Sequence, residues 1–279
     1  MIKNVKRVVT GSRAIDGAGV RLVRVVGHSD VEDFDPFLMM DAFDSTNPED
    51  YIKGFPWHPH RGIETVTYLI KGDMEHGDSL GNKGSILDGS CQWMTAGSGI
   101  MHQEMPKASE RMLGAQLWLN MPKEHKMAAP KYNDITNEMV PEVVEDGNTI
   151  RVISGDYKGN SSSVYGDYVK MLYLDVHMKG NSKWSLKVNP DETLFIYVVE
   201  GEGYFGDNNT KYESKRALLF DEGDEFVART ENEEARFFLY AAKPLKEPIA
   251  WGGPIVMNTR EELNEAFREL DKGTFIKHK

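Results

Sequence analysis

A chain of 279 residues, 40% of them hydrophobic, has enough apolar material for one large domain or two ordinary ones with buried cores. Its 33 basic and 44 acidic residues leave a formal charge of −11, which repels phosphate backbones and anionic membrane surfaces. Direct nucleic-acid binding and membrane association are therefore not expected. The single cysteine, Cys91, excludes an internal disulfide, and neither a signal-peptide pattern nor a bilayer-length apolar run stands out. The expected setting is the cytoplasm, or the nucleus as well in a eukaryote.

In chain order, Val5 to Val9 and Val20 to Val26 are β-branched runs separated by Gly11, Gly17 and Gly19. They read as two antiparallel strands joined by tight turns. Phe34 to Phe43 is apolar, interrupted by Pro36, and reads as buried against the main sheet. After a turn at Asn47-Pro48-Glu49-Asp50, Phe55-Pro56-Trp57 leads into His58-Pro59-His60. The alternation continues through Glu64, Val66, Tyr68 and Ile70, which share a face if the strand is regular. Gly72-Asp73 closes that strand, and Asp88-Gly89 turns the chain into a short strand from Cys91 to Thr95. Ala96-Gly97-Ser98-Gly99-Ile100 then offers a tight positive-φ path to His102. Leu113 to Met121 alternates strongly, with Gln116 and Trp118 on one face.

Pro122, Pro130 and Pro141 punctuate a polar connection, and the second half then echoes the first. Glu192 to Gly201 matches Glu64 to Gly72, and Asp221-Glu222-Gly223-Asp224 matches Leu87-Asp88-Gly89-Ser90, which predicts a duplicated β-fold. Carrying the offset of the turn forward from His102 and Glu104 lands on Arg236 and Phe238, so the second half is expected to hold no metal. Asp156 to Asp167 reads as an exposed loop. Thr259 with Glu262 forms a capping box, and Leu263, Ala266, Phe267 and Leu270 form one apolar helical stripe.

His58-Pro59-His60 and His102-Gln103-Glu104 carry the chemistry. Alternate residues of a β-strand share a face, so two adjacent strands can aim three imidazoles and a carboxylate at one point. Such a donor set suits divalent iron, manganese, cobalt, nickel, copper or zinc, and the lack of thiolates argues against an iron–sulfur cluster. Glu64 and Glu104 each share a face with a neighbouring histidine, and spacing does not choose between them. His28, His76, His125, His177 and His278 read as ordinary, and Glu75-His76-Gly77-Asp78 as a solvated turn. Trp93, Met94 and Trp118 read as core or pocket wall. Arg61 reads as structural, held by Glu64 or a turn carbonyl.

A histidine pair on a strand of a duplicated small β-barrel resembles the cupin superfamily. More closely, His58 to Tyr68 and Gln92 to Pro106, with Gly114-Ala115-Gln116-Leu117-Trp118 and Pro254 to Thr259, resemble the signature of the pirin family. The resemblance covers nearly the whole chain. It implies an all-β bicupin: two jelly-roll-like barrels in tandem with a short C-terminal α-helix. Residues 1–135 would form the metal-bearing barrel, and 136–279 a second barrel without metal that ends in the helix. It also implies one iron, held at His58, His60, His102 and Glu104. Glu64, Arg61, Val66, Tyr68 and Gln116 are left to support the ligands or line the pocket.

The activity so implied is that of a quercetinase, in which dioxygen opens the flavonol C-ring with release of carbon monoxide and formation of a depside. Glu104 would accept the proton of the substrate hydroxyl. The alternative from the same resemblance is a metal-dependent regulator of transcription or of a metabolic enzyme, acting through a protein partner, with dioxygenase activity incidental. The negative charge favours protein over DNA in that role.

Overall fold

The computed structural model describes residues 1–278. In chain order the first strands are β1 (Val5–Thr10), β2 (Ser12–Asp16), β3 (Val20–Val26), β4 (Phe37–Ser45), β5 (Phe55–His60) and β6 (Ile63–Lys71). They are followed by β7 (Met74–Asp78), β8 (Lys83–Ile86), β9 (Cys91–Thr95), β10 (Ile100–Pro106), β11 (Met112–Asn120) and β12 (Lys131–Ile135). The chain divides into two compact units, each assembled from separate stretches. Both are cupin-type β-structures, in keeping with the expected all-β bicupin class. Among the described residues no helix is long and apolar enough to cross a membrane.

The unit that contains His58 comprises Arg13–His28, Phe37–Asn137 and the chain from Leu245 onward. Its seven-stranded sheet runs β12-β9-β6-β11-β4-β3-β2, and its four-stranded sheet runs β5-β10-β7-β8. Val20, Leu22, Phe43, Leu69 and Met112 of the larger sheet cluster with Met74 and Ile86 of the smaller one, so a shared core bonds the two layers. Burial alternates strictly along β10, with Ile100, His102, Glu104 and Pro106 inside and Met101, Gln103 and Met105 partly exposed. The two-residue period thus delivers His102 and Glu104 to one face. The turn before them has Gly97 at φ 51° and Gly99 at φ 135°, a path that glycine adopts without strain.

The expected single strand from His58 to Ile70 is instead two. β5 ends at His60 in the smaller sheet and β6 begins at Ile63 in the larger one. Gly62 makes the corner at φ +76°, and a Cβ there would lie 2.0 Å from the Val256 carbonyl oxygen. Glu64, Val66 and Tyr68 therefore do not share the face of the histidine pair. The early strands also pair differently from expectation. β2 and β3 are neighbours across the Gly17 and Gly19 turn, whereas β1 pairs antiparallel with Arg216–Phe220.

That strand belongs to the other unit, which comprises Met1–Ser12, Ser29–Pro36 and Glu138–Pro244. The division at Asn137/Glu138 is not a single boundary of the kind expected between residues 135 and 136, because Met1–Ser12, Ser29–Pro36 and the chain from Leu245 onward each go with the unit on the other side of it. The helix α1 (Val31–Phe34) goes with this unit, while α2 (Arg260–Asp271) goes with the His58 unit and does not end the second barrel. The reason is packing: Leu263 and Ala266 of α2 are buried with Ile255, Met257 and Phe275, whereas Phe267 of the predicted stripe is 39% exposed. The capping box at Thr259 and Glu262 is formed.

The sheet order of this second unit, β1 followed by Arg216–Phe220, Thr193–Phe205, Ala235–Ala242, Met171–Met178, Asn148–Ser154 and Glu142–Glu145, repeats the order of the seven-stranded sheet strand for strand. Thr193–Phe205 occupies the place of β6, as the sequence echo predicts. The turn at 221–224 matches 96–99 rather than 87–90, because each follows the counterpart strands Arg216–Phe220 and β9. His102 and Glu104 thus correspond to Val227 and Arg229, not to Arg236 and Phe238, which lie in the counterpart of β11. Where His58 and His60 lie opposite His102 and Ile100, the second unit sets Ser185 and Lys187 opposite Val227 and Glu225. Trp184, Phe205, Phe226 and Phe237 are buried in its core.

Candidate metal centre

β5 and β10 pair antiparallel with His102 directly opposite His58, and one ring nitrogen from each of His58, His60 and His102 lies within 4.8 Å of the others. Two of the rings are oriented by backbone. His58 Nδ1 is 2.8 Å from the Pro56 carbonyl oxygen and His60 Nδ1 is 3.0 Å from that of Pro254. A carbonyl only accepts, so both Nδ1 atoms carry the hydrogen and both Nε2 atoms present lone pairs. Those Nε2 atoms are 3.0 Å apart. Lone pairs at that distance repel unless a cation lies between them or one ring takes a second proton. Burial opposes the proton: it pushes His60 down to about 3, aided by the neighbouring His58. His102 is likewise held well below the ordinary histidine range by burial, and its Nε2 has no hydrogen-bond partner among the described residues.

Glu104 lies beside the three imidazoles, with Oε2 4.0 Å from His102 Nε2. Its Oε1 accepts from Gln116 Nε2 at 2.8 Å and from Thr67 Oγ1 at 3.3 Å. Burial raises the carboxyl above its usual range, while His58, Gln116 and Thr67 pull the other way. Gln116 Nε2 also donates to Thr67 Oγ1, and Gln116 Oε1 accepts from Trp118 Nε1 at 3.1 Å. Because an indole N–H only donates, Trp118 fixes which way the amide faces. Neutral imidazoles with one carboxylate match the needs of a divalent first-row ion, and this donor set fits such an ion in the histidine cluster.

The other predicted residues fall in different places. Glu64 is fully buried, accepts from Thr95 Oγ1 at 2.6 Å, and does not line the cavity beside the histidines. Val66 and Tyr68 are also fully buried and absent from that lining, so neither is a pocket residue. The cause is the corner at Gly62, which sends β6 into the other sheet. Arg61 is held by a turn carbonyl, as anticipated: Nε donates to Ser98 O at 2.7 Å. Its acidic partner is Glu269 of α2 at 2.7 Å, not Glu64. Gln116 does line the cavity. His76, expected in a solvated turn, lies in β7 opposite Glu104, is 6% exposed and is bonded to the Tyr132 hydroxyl.

The cavity has a volume of about 520 Å³, within the range of small-molecule sites. Besides His58, His60, Glu104 and Gln116 it is lined by Trp118, Trp251 and His28, with Asp16, Arg24 and Asp41 also present. Trp251 stacks on His28 with ring centroids 3.8 Å apart. His28 reads as ordinary in the sequence, and neither Trp251 nor the charged group is singled out there. Asp41 left a trace, as a lone carboxylate inside the apolar run from Phe37 to Phe43, and its cross-strand partner in β3 is Arg24. Trp251 left none, since it comes from the segment after residue 245.

Fold and site together define a duplicated cupin with one buried imidazole cluster opening on a pocket. The Pirin family model matches residues 19–119 and the Pirin C-terminal cupin domain model residues 173–276. The chain is 40% identical over 278 residues to the "Pirin-like protein" of Caulobacter vibrioides, covering 98% of this chain and 99% of that one. It is 40% identical to "Pirin" of Mus musculus, covering 97% and 94%. The crystal structure of "Quercetin 2,3-dioxygenase from Acinetobacter baumannii" superposes with a TM-score of 0.89 at 30% identity, covering 99% of both chains. The chain belongs to the pirin family.

Proposed function

We propose that His58, His60 and His102 hold a divalent metal, iron being the expected one, with Glu104 as fourth ligand. On this reading the protein is a quercetinase-type dioxygenase that opens a flavonol ring. The observation that carries the proposal is the pair of bare Nε2 atoms 3.0 Å apart in a buried, proton-averse pocket, beside a carboxylate 4.0 Å from the third imidazole. The similarity to a structure named as a quercetin 2,3-dioxygenase supports the reaction class.

A bound divalent ion supplies Lewis acidity that favours ionisation of the flavonol hydroxyl. The chain's own residues do the rest. Glu104, when not engaged as a ligand, receives the hydroxyl proton, and Gln116 and Thr67 hold its Oε1. Trp118 and Trp251 supply flat apolar wall for a polycyclic substrate and exclude water.

The test is metal analysis of the purified protein with the Glu104→Ala and Glu64→Ala variants, followed by flavonol absorbance and carbon monoxide release in air. Glu104→Ala is expected to lose metal and activity, and Glu64→Ala to keep its metal. The reverse pattern overturns the ligand assignment. Stable flavonol absorbance with every divalent ion supplied overturns the enzyme assignment.

A further inference from the structure

The same cavity is lined by a charged cluster, Asp16, Arg24 and Asp41, that is not among the proposed metal ligands. Arg24 Nε donates to Asp41 Oδ1 at 2.9 Å, and Nη2 donates to Asp41 Oδ2 and Asp16 Oδ2, both at 2.7 Å. Asp41 is buried, its side chain 6% exposed, while Asp16 is 48% exposed and Arg24 32%. Asp16 Oδ1 also accepts from Gly17 N at 2.7 Å, which fixes the carboxylate in its turn.

This cluster has two consequences for a ligand. Two carboxylates outweigh one guanidinium, so the cluster is net negative and repels a carboxylate, sulfate or phosphate group. It also keeps hydrogen-bonding capacity on both sides. Each carboxylate oxygen has lone pairs beyond those engaged, and the two N–H groups of Arg24 Nη1 have no partner among the described residues. Acceptor beside donor, without positive charge to spare, matches a group that donates and accepts at neighbouring atoms.

We infer that Asp16, Arg24 and Asp41 are the specificity-determining group of the pocket, selecting an uncharged flat ring with two adjacent hydroxyls over the bare or carboxylated ring. One hydroxyl donates to the Asp16 carboxylate, and its neighbour accepts from Arg24 Nη1. Asp41 is a positioning residue that holds the guanidinium in place through two parallel bonds. The inference rests on the flavonol reading above and adds which residues recognise the substituents of the pendant ring.

The experiment is binding under argon, so that no turnover occurs, read by quenching of tryptophan fluorescence in the metal-containing protein. Three probes are compared: 3-hydroxyflavone, its counterpart with two adjacent hydroxyls on the pendant ring, and its counterpart with a carboxylate there. The native protein is expected to bind the dihydroxy probe at least tenfold more tightly than either other probe, because charged partners strengthen hydrogen bonds. In Asp16→Ala the preference over the bare ring falls to twofold or less, with metal content unchanged. Arg24→Lys keeps a cation opposite Asp41 but loses the second fork, and it also weakens the preference. Asp16 is half exposed, so its variant reports even if Arg24→Lys does not fold. Equal affinity for all three probes in the native protein, or a preference that survives Asp16→Ala, overturns the inference and leaves the flavonol reading standing. Absence of binding by any probe overturns both.

Discussion

Replacing Gln116 by leucine isolates the contribution of the residues behind Glu104. The native amide donates to Glu104 Oε1 at 2.8 Å and to Thr67 Oγ1 at 3.0 Å, and it accepts from Trp118 Nε1 at 3.1 Å. Leucine fills similar space and makes none of these bonds. Glu104 then retains only the 3.3 Å bond from Thr67, and its carboxylate is freer to rotate away from the imidazoles. A hydrogen bond to a charged group is worth about 1.5–3 kcal/mol, and loss of a partner that orients a ligand costs about 10- to 100-fold in metal affinity. These ranges agree, since each factor of ten is about 1.4 kcal/mol. The assay is competition for the metal with a chelator of known affinity, on native protein, Gln116→Leu and Glu104→Ala. Gln116→Leu is expected to fall between the other two, about 10- to 100-fold below native. Native affinity in Gln116→Leu together with weakened binding in Glu104→Ala would refute the view that the amide acts through the carboxylate.

Two stability predictions follow from buried charges in the same unit. Arg61, 3% exposed, binds Glu269 and the carbonyls of Ser98 and Phe275; Arg61→Met leaves Glu269 with Lys277 as its cation but strands the two carbonyls, and denaturant unfolding should show a loss of about 1–3 kcal/mol. A loss below about 1 kcal/mol would mean that the pair behaves as a surface contact. Lys126 donates to Gly62 O, Asn120 Oδ1 and Val256 O, and burial pushes its pKa down to about 7 against the pull of Glu247 and Glu262. The unfolded chain holds that proton up to about 10.5, so more protons are bound unfolded than folded within this window. Stability therefore gains from Lys126 as pH rises from about 7 to 10.5, by an amount on the order of 5 kcal/mol at most. The buried Cys91 thiol, pushed up by burial from its usual 9.0, acts in the opposite sense at the alkaline end. The measurement is thus the difference between native protein and Lys126→Met across pH, and a difference that does not change with pH would refute the assignment.

Much of the site was legible because its chemistry is local to strands. The two-residue period puts His58 with His60 and His102 with Glu104 in any regular strand, and the glycines before His102 announce a turn. The duplication is legible as an echo of β6 in Thr193–Phe205, although matching the turn at 221–224 to 87–90 puts the counterparts of His102 and Glu104 at Arg236 and Phe238 rather than at Val227 and Arg229. The shared face expected for Glu64 and the histidine pair does not form, because an unbroken alternation does not reveal a corner. Strand pairing puts β5 and β6 in different sheets, and Val256, from 194 residues away, crowds Gly62 at the corner between them.

The sequence by itself therefore determined the candidate donors, their strand-face pairing and the cupin class, since each depends on neighbours a few residues apart. Tertiary structure decided the rest. It sent β1 and α1 to one unit and α2 to the other, because burial of apolar faces takes no account of chain order. It also brought Pro254 to orient His60, Trp251 to wall the pocket, and Arg24 across from Asp41. These contacts join segments of distant sequence, and no periodicity within either segment encodes its partner.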